Sequence, residues 1–274
     1  FGQPAPGEDC LFLNIWTPAL DGAKRPVMVY QHGGGFTVGS GAAPWQDGGA
    51  LARDHDVVVV QSNHRLGAMG YLYLGQLLGP EYVGNQGLQD LVAALAWVNI
   101  NIAEFGGDPN NVMIFGESGG GGKTSALYAM PSAAPFFHKA SIESPIGPGN
   151  LGPDEATEVT RQVMKRLNIK DPRALLSLPA ADLLRAQMGD GATLSPGTVS
   201  PTNSAPALPE IEFWPIVDGL ILPEEPFRSA APTTSADKPL IVGSCKDESV
   251  FFYRMDKSAF ALDESGLESR LVPI

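Results

Sequence analysis

An apolar run that turns directly into Gly-x-Ser-x-Gly admits few backbones. Residues Val112-Met113-Ile114-Phe115 lead without a loop into Gly116-Glu117-Ser118-Gly119-Gly120, and a helix-compatible stretch continues to about Met130. A sharp strand-to-helix turn lifts a serine clear of the surface, and small residues on either side let the backbone close around it. The five-residue pattern alone is a weak signal. A strand before it and a helix after it make it specific. A serine at a helix amino end also meets free N–H groups and the positive end of the dipole, which favour developing negative charge.

The rest of the chain supplies a sheet for that corner. Asp56-Val57-Val58-Val59-Val60-Gln61 is a continuous β-branched run of the kind buried mid-sheet. Residues 10–16, 26–31, 138–143 and 239–243 read as further strands. Leu88, Leu91, Val92, Leu95 and Val98 recur at helical spacing, predicting a helix from Asn85 to Phe105. Residues 154–188 read as short helices broken at Pro172 and Pro179, and 190–215 as a long loop rich in Gly, Ser, Thr and Pro. Alternating strands and helices predict an α/β fold with a mostly parallel central sheet and helices on both faces.

His32-Gly33-Gly34-Gly35-Phe36 follows the 26–31 strand. Glycines let a loop bring its N–H groups close to a substrate oxygen, so Gly34 and Gly35, with Gly119 after the serine, are the candidate oxyanion donors. An acid is expected just past a later strand. Glu248 fits, after Pro239–Gly243, with Asp247 and Asp218 as alternatives. The base is the difficulty. In this fold the order is serine, acid, histidine, yet all 4 histidines (His32, His55, His64 and His138) precede Glu248. His32 reads as shaping its loop, His55 as a surface residue and His64 as structural. No pair of them has metal-ligand spacing. Gly122-Lys123-Thr124 resembles the end of a phosphate loop, but Glu117 stands where that pattern requires glycine and its charge would repel phosphate.

With 274 residues and 43% hydrophobic content, one large domain with a sizeable core is expected. A formal net charge of −12 disfavours nucleic acid and anionic membrane surfaces as partners. No apolar stretch approaches the roughly 18 residues of a membrane span. Cys10 and Cys245 stand far apart and outside any metal motif.

These residues resemble the type B carboxylesterases of the α/β-hydrolase fold, a group that includes the cholinesterases. Glu8-Asp9-Cys10-Leu11 and Phe105-Gly106-Gly107-Asp108-Pro109 leading to Gly116-Glu117-Ser118 look like the family's two signatures. Asn63-His64-Arg65, Asn85 to Asp90, Phe137-His138-Lys139-Ala140 and Val217-Asp218-Gly219 follow in the family's order. The resemblance implies Ser118 as nucleophile, Glu248 as triad acid, and Gly34, Gly35 and Gly119 as the oxyanion hole. Glu117 would be a supporting, buried carboxylate beside the serine. It implies a small-molecule carboxylic ester as substrate, no cofactor and no metal. It also implies that residues 1–274 are part of such a domain, lacking an N-terminal segment and the region that bears the histidine. A cysteine upstream would pair with Cys10; the resemblance points to an extracellular location, while the residues themselves leave localisation open. Departures are Gly119 for the usual alanine, expected to be harmless, Pro145 after Ser144, and Ser249 after the acid. A non-catalytic adhesion domain of the same fold is the rival reading; retention of Ser118, the glycine loop and Glu248 argues against it.

Overall fold

The computed structural model describes residues 7–146, 149–189, 211–248, 250 and 257–271. Ser249, Phe251, Phe252 and positions 190–210 of the expected long loop lie outside the described residues. The chain forms two compact units, Phe1–Val242 and Gly243–Ile274.

The first unit is built on a six-stranded sheet of order β1-β3-β2-β4-β5-β6. Its strands are β1 (Leu13–Trp16), β2 (Arg25–Gln31), β3 (Val58–Ser62), β4 (Gly107–Glu117), β5 (Lys139–Glu143) and β6 (Leu240–Gly243). β2 runs parallel to both β3 and β4, and β5 parallel to β4, while β1 lies antiparallel to β3 at the edge. The central register sets Val27, Val29, Val58, Val60, Val112 and Ile114 on one face, all fully buried.

That face meets α4 (Gln86–Asn101) and α5 (Gly119–Ala129). Leu88, Leu91, Leu95 and Val98 of α4 are each no more than 1% exposed, and burying each side chain stabilises by roughly 1.5–3 kcal/mol. Val59 points to the opposite face, where Gly48, at the start of α1 (Gly49–His55), approaches it and Trp16 closely. The sheet is therefore mostly parallel with helices on both faces, and the β-branched run of β3 is buried on each.

Three short helices escaped the periodicity argument: α1, α2 (Gly67–Tyr71) and α3 (Gly75–Leu78) are too short to show it. The expected helix to Phe105 ends at Asn101 and tightens into a 3-10 turn, Ile102–Phe105. The apolar run at 10–16 is strand only from Leu13, and Leu11 and Phe12 are more than half exposed. The breaks at Pro172 and Pro179 hold, separating α6 (Pro153–Arg166), a 3-10 turn (Pro172–Ser177) and α7 (Ala180–Met188). Among the described residues no helix is long and apolar enough to cross a membrane.

The second unit contains a 3-10 turn, Lys257–Phe260, and α8 (Glu264–Leu271). Asp263 caps α8, its carboxylate accepting from the Gly266 N–H at 2.8 Å.

Two polar ties bind distant motifs of the first unit. Arg65 donates to both carboxylate oxygens of Asp90, at 2.8 and 2.7 Å. Asn85 is fully buried, and its side-chain amide exchanges two hydrogen bonds with the backbone of Ile216, both 2.8 Å. Asn85 also starts α4 at φ 63°, a conformation asparagine tolerates better than alanine. Asn85→Ala would leave a buried N–H and C=O unpaired, at about 1–3 kcal/mol each. We expect a loss of at least about 2 kcal/mol in urea unfolding; a change under 0.5 kcal/mol would refute this role.

Candidate active site

β4 ends and α5 begins within one residue, Ser118, whose backbone sits at φ 59° and ψ −120°. A non-glycine residue held there costs on the order of 1–3 kcal/mol and persists only where its surroundings determine it. They do so here from three sides. The Ser118 N–H donates to the carbonyl of Glu143 on β5 at 3.0 Å, and its carbonyl accepts from the N–H groups of Gly122 and Ile146 at 3.0 and 3.3 Å. The corner also needs Gly120, because a side chain there would run into the carbonyl of Gln31 at the end of β2. Ser118 is half-buried at the carboxyl end of the central strands.

The glycine loop comes from the carboxyl end of β2 and packs on this corner. Gly33 lies against the Glu117 backbone and the Ser118 side chain, and Gly35 sits directly on Gly119. A Cβ at position 119 would collide with the backbone of Gly35, so the glycine does more than replace alanine harmlessly: it lets the loop seat on the first turn of α5. Gly34 and Gly35 take φ of 90° and 63°. Among the described residues the N–H groups of Gly34, Gly35 and Gly119 donate no hydrogen bond. The structure thus brings together Ser118, Gly34, Gly35 and Gly119.

Glu117 corrects one expectation. It is exposed, not buried. Along β4 the residues Val112, Ile114 and Gly116 turn to the helix-covered face, so Glu117 follows Met113 and Phe115 to the less covered one. Glu248 belongs to the second unit, in the turn after β6, where its carboxylate accepts from the Cys245 N–H at 2.6 Å. Of the alternative acids, Asp218 is occupied by a turn of its own. One carboxylate oxygen accepts from the N–H groups of Leu220, Ile221 and Leu222 at 2.8–3.1 Å.

None of the four imidazoles hydrogen-bonds Ser118. His32 is 1% exposed, turns Nδ1 to the Gly33 carbonyl at 2.8 Å, and stacks on the buried His64 with ring centroids 4.5 Å apart. Burial, with the Lys123 charge second, lowers the His32 pKa to about 3 and pushes His64 well below its ordinary value. His138 accepts from the Val112 N–H at 3.2 Å, and His55 ends α1. Among the described residues no cluster of His, Cys, Asp or Glu could hold a metal ion.

Beside the corner lies a cavity of about 640 Å³, whose walls include Phe36, Gly122, Ile146, Trp214 and Phe227. Phe36 serves both as wall and as core, 4% exposed and edge-on to Tyr71. Sequence reasoning missed Lys123, weighed only as part of a phosphate loop. It is fully buried, and its Nζ donates to the His32 carbonyl at 2.9 Å. A lysine on a glycine-rich helix face toward the core was the available signal.

Known proteins share the sequence pattern and the fold of this chain. The model of the Carboxylesterase family matches residues 3–271. The para-nitrobenzyl esterase of Bacillus subtilis (strain 168) is 37% identical over 92% of this chain and 50% of its own length. The phenmedipham hydrolase of Pseudarthrobacter oxydans is 36% identical over 98% of this chain and 51% of its own. Among solved structures, a Geobacillus stearothermophilus carboxylesterase superposes with a TM-score of 0.81 at 40% identity, covering 98% of this chain and 56% of that one. The chain therefore spans about half the length of these relatives. It has the α/β-hydrolase fold, and it belongs to the carboxylesterase family.

Proposed function

We propose that this chain carries the nucleophile and the oxyanion hole of a serine carboxylic-ester hydrolase. The observation that supports this most is the strained Ser118 corner with the glycine loop seated on it, leaving the Gly34, Gly35 and Gly119 N–H groups unused by the protein. A stable binding surface requires none of these. Ser118 Oγ attacks the ester carbonyl, and the tetrahedral oxyanion is held by those three N–H groups, each worth about 3 kcal/mol in the transition state. The C–O bond to the alcohol then breaks, leaving an acyl-serine that water hydrolyses. The cavity beside Gly122 and Ile146 receives part of the ester.

Ser118 requires a base. His32 and His64 are buried and held neutral, and His138 is engaged with β4. We assign the base to a histidine outside these 274 residues, oriented by Glu248. The test is hydrolysis of p-nitrophenyl acetate and butyrate by this chain and by the whole product of its gene, each beside its Ser118→Ala variant. The expected result is turnover by the whole product that falls at least about 10³-fold in the variant. Turnover by a folded whole product that survives the substitution would refute the proposal. Turnover by these 274 residues alone, lost in Ser118→Ala, would place the base among the four histidines.

The histidine assignment has its own check. The rings of His32 and His64 should keep the nitrogen shifts of neutral imidazole from pH 8 to pH 5; titration of either near pH 6.5 would overturn it. Their depressed pKa values also fix the sign of a stability change. Below about pH 6.5 the unfolded chain binds protons that the folded chain refuses, so stability falls as pH drops; His32 contributes about 1.4 kcal/mol per pH unit down to about pH 3, and His64 acts in the same direction.

A further inference from the structure

Lys123 is a lysine buried without a counter-charge. It is 0% exposed, and among the described residues no carboxylate lies within ion-pair distance. Burial lowers its pKa to about 7, so the fold works against its charge. A charged or polar group in this setting is costly unless it is hydrogen-bonded.

What Lys123 touches accounts for its place. Its Nζ donates to the carbonyl of His32 at 2.9 Å and lies over the ring of Phe36, 5.7 Å from the centroid. These two residues bracket Gly33-Gly34-Gly35 on either side. One side chain, carried on α5 five residues beyond Ser118, therefore contacts both ends of the three-glycine loop. The far side of the grip is equally built. The His32 ring stacks on His64, and the Phe36 ring packs edge-on against Tyr71 and at 5.5 Å from Trp214. Three successive glycines have little intrinsic preference for one conformation, so the N–H directions of Gly34 and Gly35 depend on such anchors.

We propose that Lys123 is a positioning residue for the oxyanion loop, tying His32 and Phe36 to the helix that carries Ser118 and so holding the Gly34 and Gly35 N–H groups in register with Gly119. The proposal rests on the reading of residues 33–35 as the oxyanion loop. A two-point anchor of this kind sets geometry, not substrate binding. Its loss therefore acts on the chemical step, since misplacing a reacting or stabilising group by about 1 Å costs on the order of 10²-fold.

The experiment compares the wild-type protein with Lys123→Met, Lys123→Ser and Lys123→Gln, using amide hydrogen exchange over residues 32–38, urea unfolding, and ester hydrolysis by the whole gene product. Methionine has no donor, and the serine hydroxyl is too short to reach the His32 carbonyl. In both variants we expect exchange in the loop to rise at least about tenfold while the β2, β3 and β4 amides stay protected. Unfolding of Lys123→Met should stay cooperative with a urea midpoint close to that of the wild type, relief of the buried amine being offset by the unpaired His32 carbonyl. Ester turnover should lose about 10- to 100-fold in kcat, with KM within about twofold. Glutamine keeps a donor and should recover part of both effects. Loop exchange within twofold of wild type in either folded variant overturns the proposal, as does a rise spread evenly over the protein. If methionine prevents folding, the serine variant, smaller and free to admit water, decides by the same exchange criterion. The exchange readout requires no catalysis. Hydrolysis indifferent to Ser118→Ala would refute the esterase reading and leave the clamp to be judged on exchange alone.

Discussion

The structure depends on one held corner. Ser118 occupies a backbone conformation that a serine does not choose for itself, and the strain is confined by bonds arriving from different elements. β5 supplies the carbonyl that takes its N–H, α5 supplies the first-turn N–H that takes its carbonyl, and Ile146 adds a second donor. The parallel pairing of β4 with β2 and β5 is what brings those groups there. The buried valines of β2, β3 and β4 matter to chemistry for this reason: they keep the register that delivers the corner.

The glycine loop and the corner are two halves of one surface, and each explains the other's glycines. Gly120 is demanded by the Gln31 carbonyl, and Gly119 by the Gly35 backbone. Four consecutive glycines weaken α5 as an isolated helix, by up to about 1 kcal/mol each relative to alanine. Their return is contact between backbones at distances no side chain permits. Beneath this surface burial works against charge on the titratable groups. His32 and His64 stack as uncharged rings, and Lys123 sits at a pKa of about 7 beside them. The interior under the loop is thus a low-dielectric setting in which oriented N–H groups act strongly.

Much of this was legible from residue order. The strand-to-helix reading of Val112 to Met130 rests on a change of period at a defined pentapeptide, and the structure turns at Ser118. The valine run of β3 told of burial on both faces because no polar residue interrupts it. Three kinds of fact were not legible. Helices of four to seven residues, α1 to α3, have no periodicity to display. The exposure of Glu117 follows from strand alternation counted back to Val112, a geometric consequence the family resemblance concealed. Lys123 looked like the end of a phosphate motif, because no local pattern announces that a side chain will reach across to the carbonyl of a residue on another strand.

The measurement that bears most directly on the corner is peptide mapping by tandem mass spectrometry after the whole gene product reacts with an alkyl fluorophosphonate. That reagent requires a serine poised for attack beside donors for the developing P–O⁻ charge. The account predicts a single phosphonyl adduct on Ser118, approaching one per chain, while Ser144 and other serines stay unmodified. Labelling spread over several serines, or modification of Ser118 no faster than of Ser144, would contradict it.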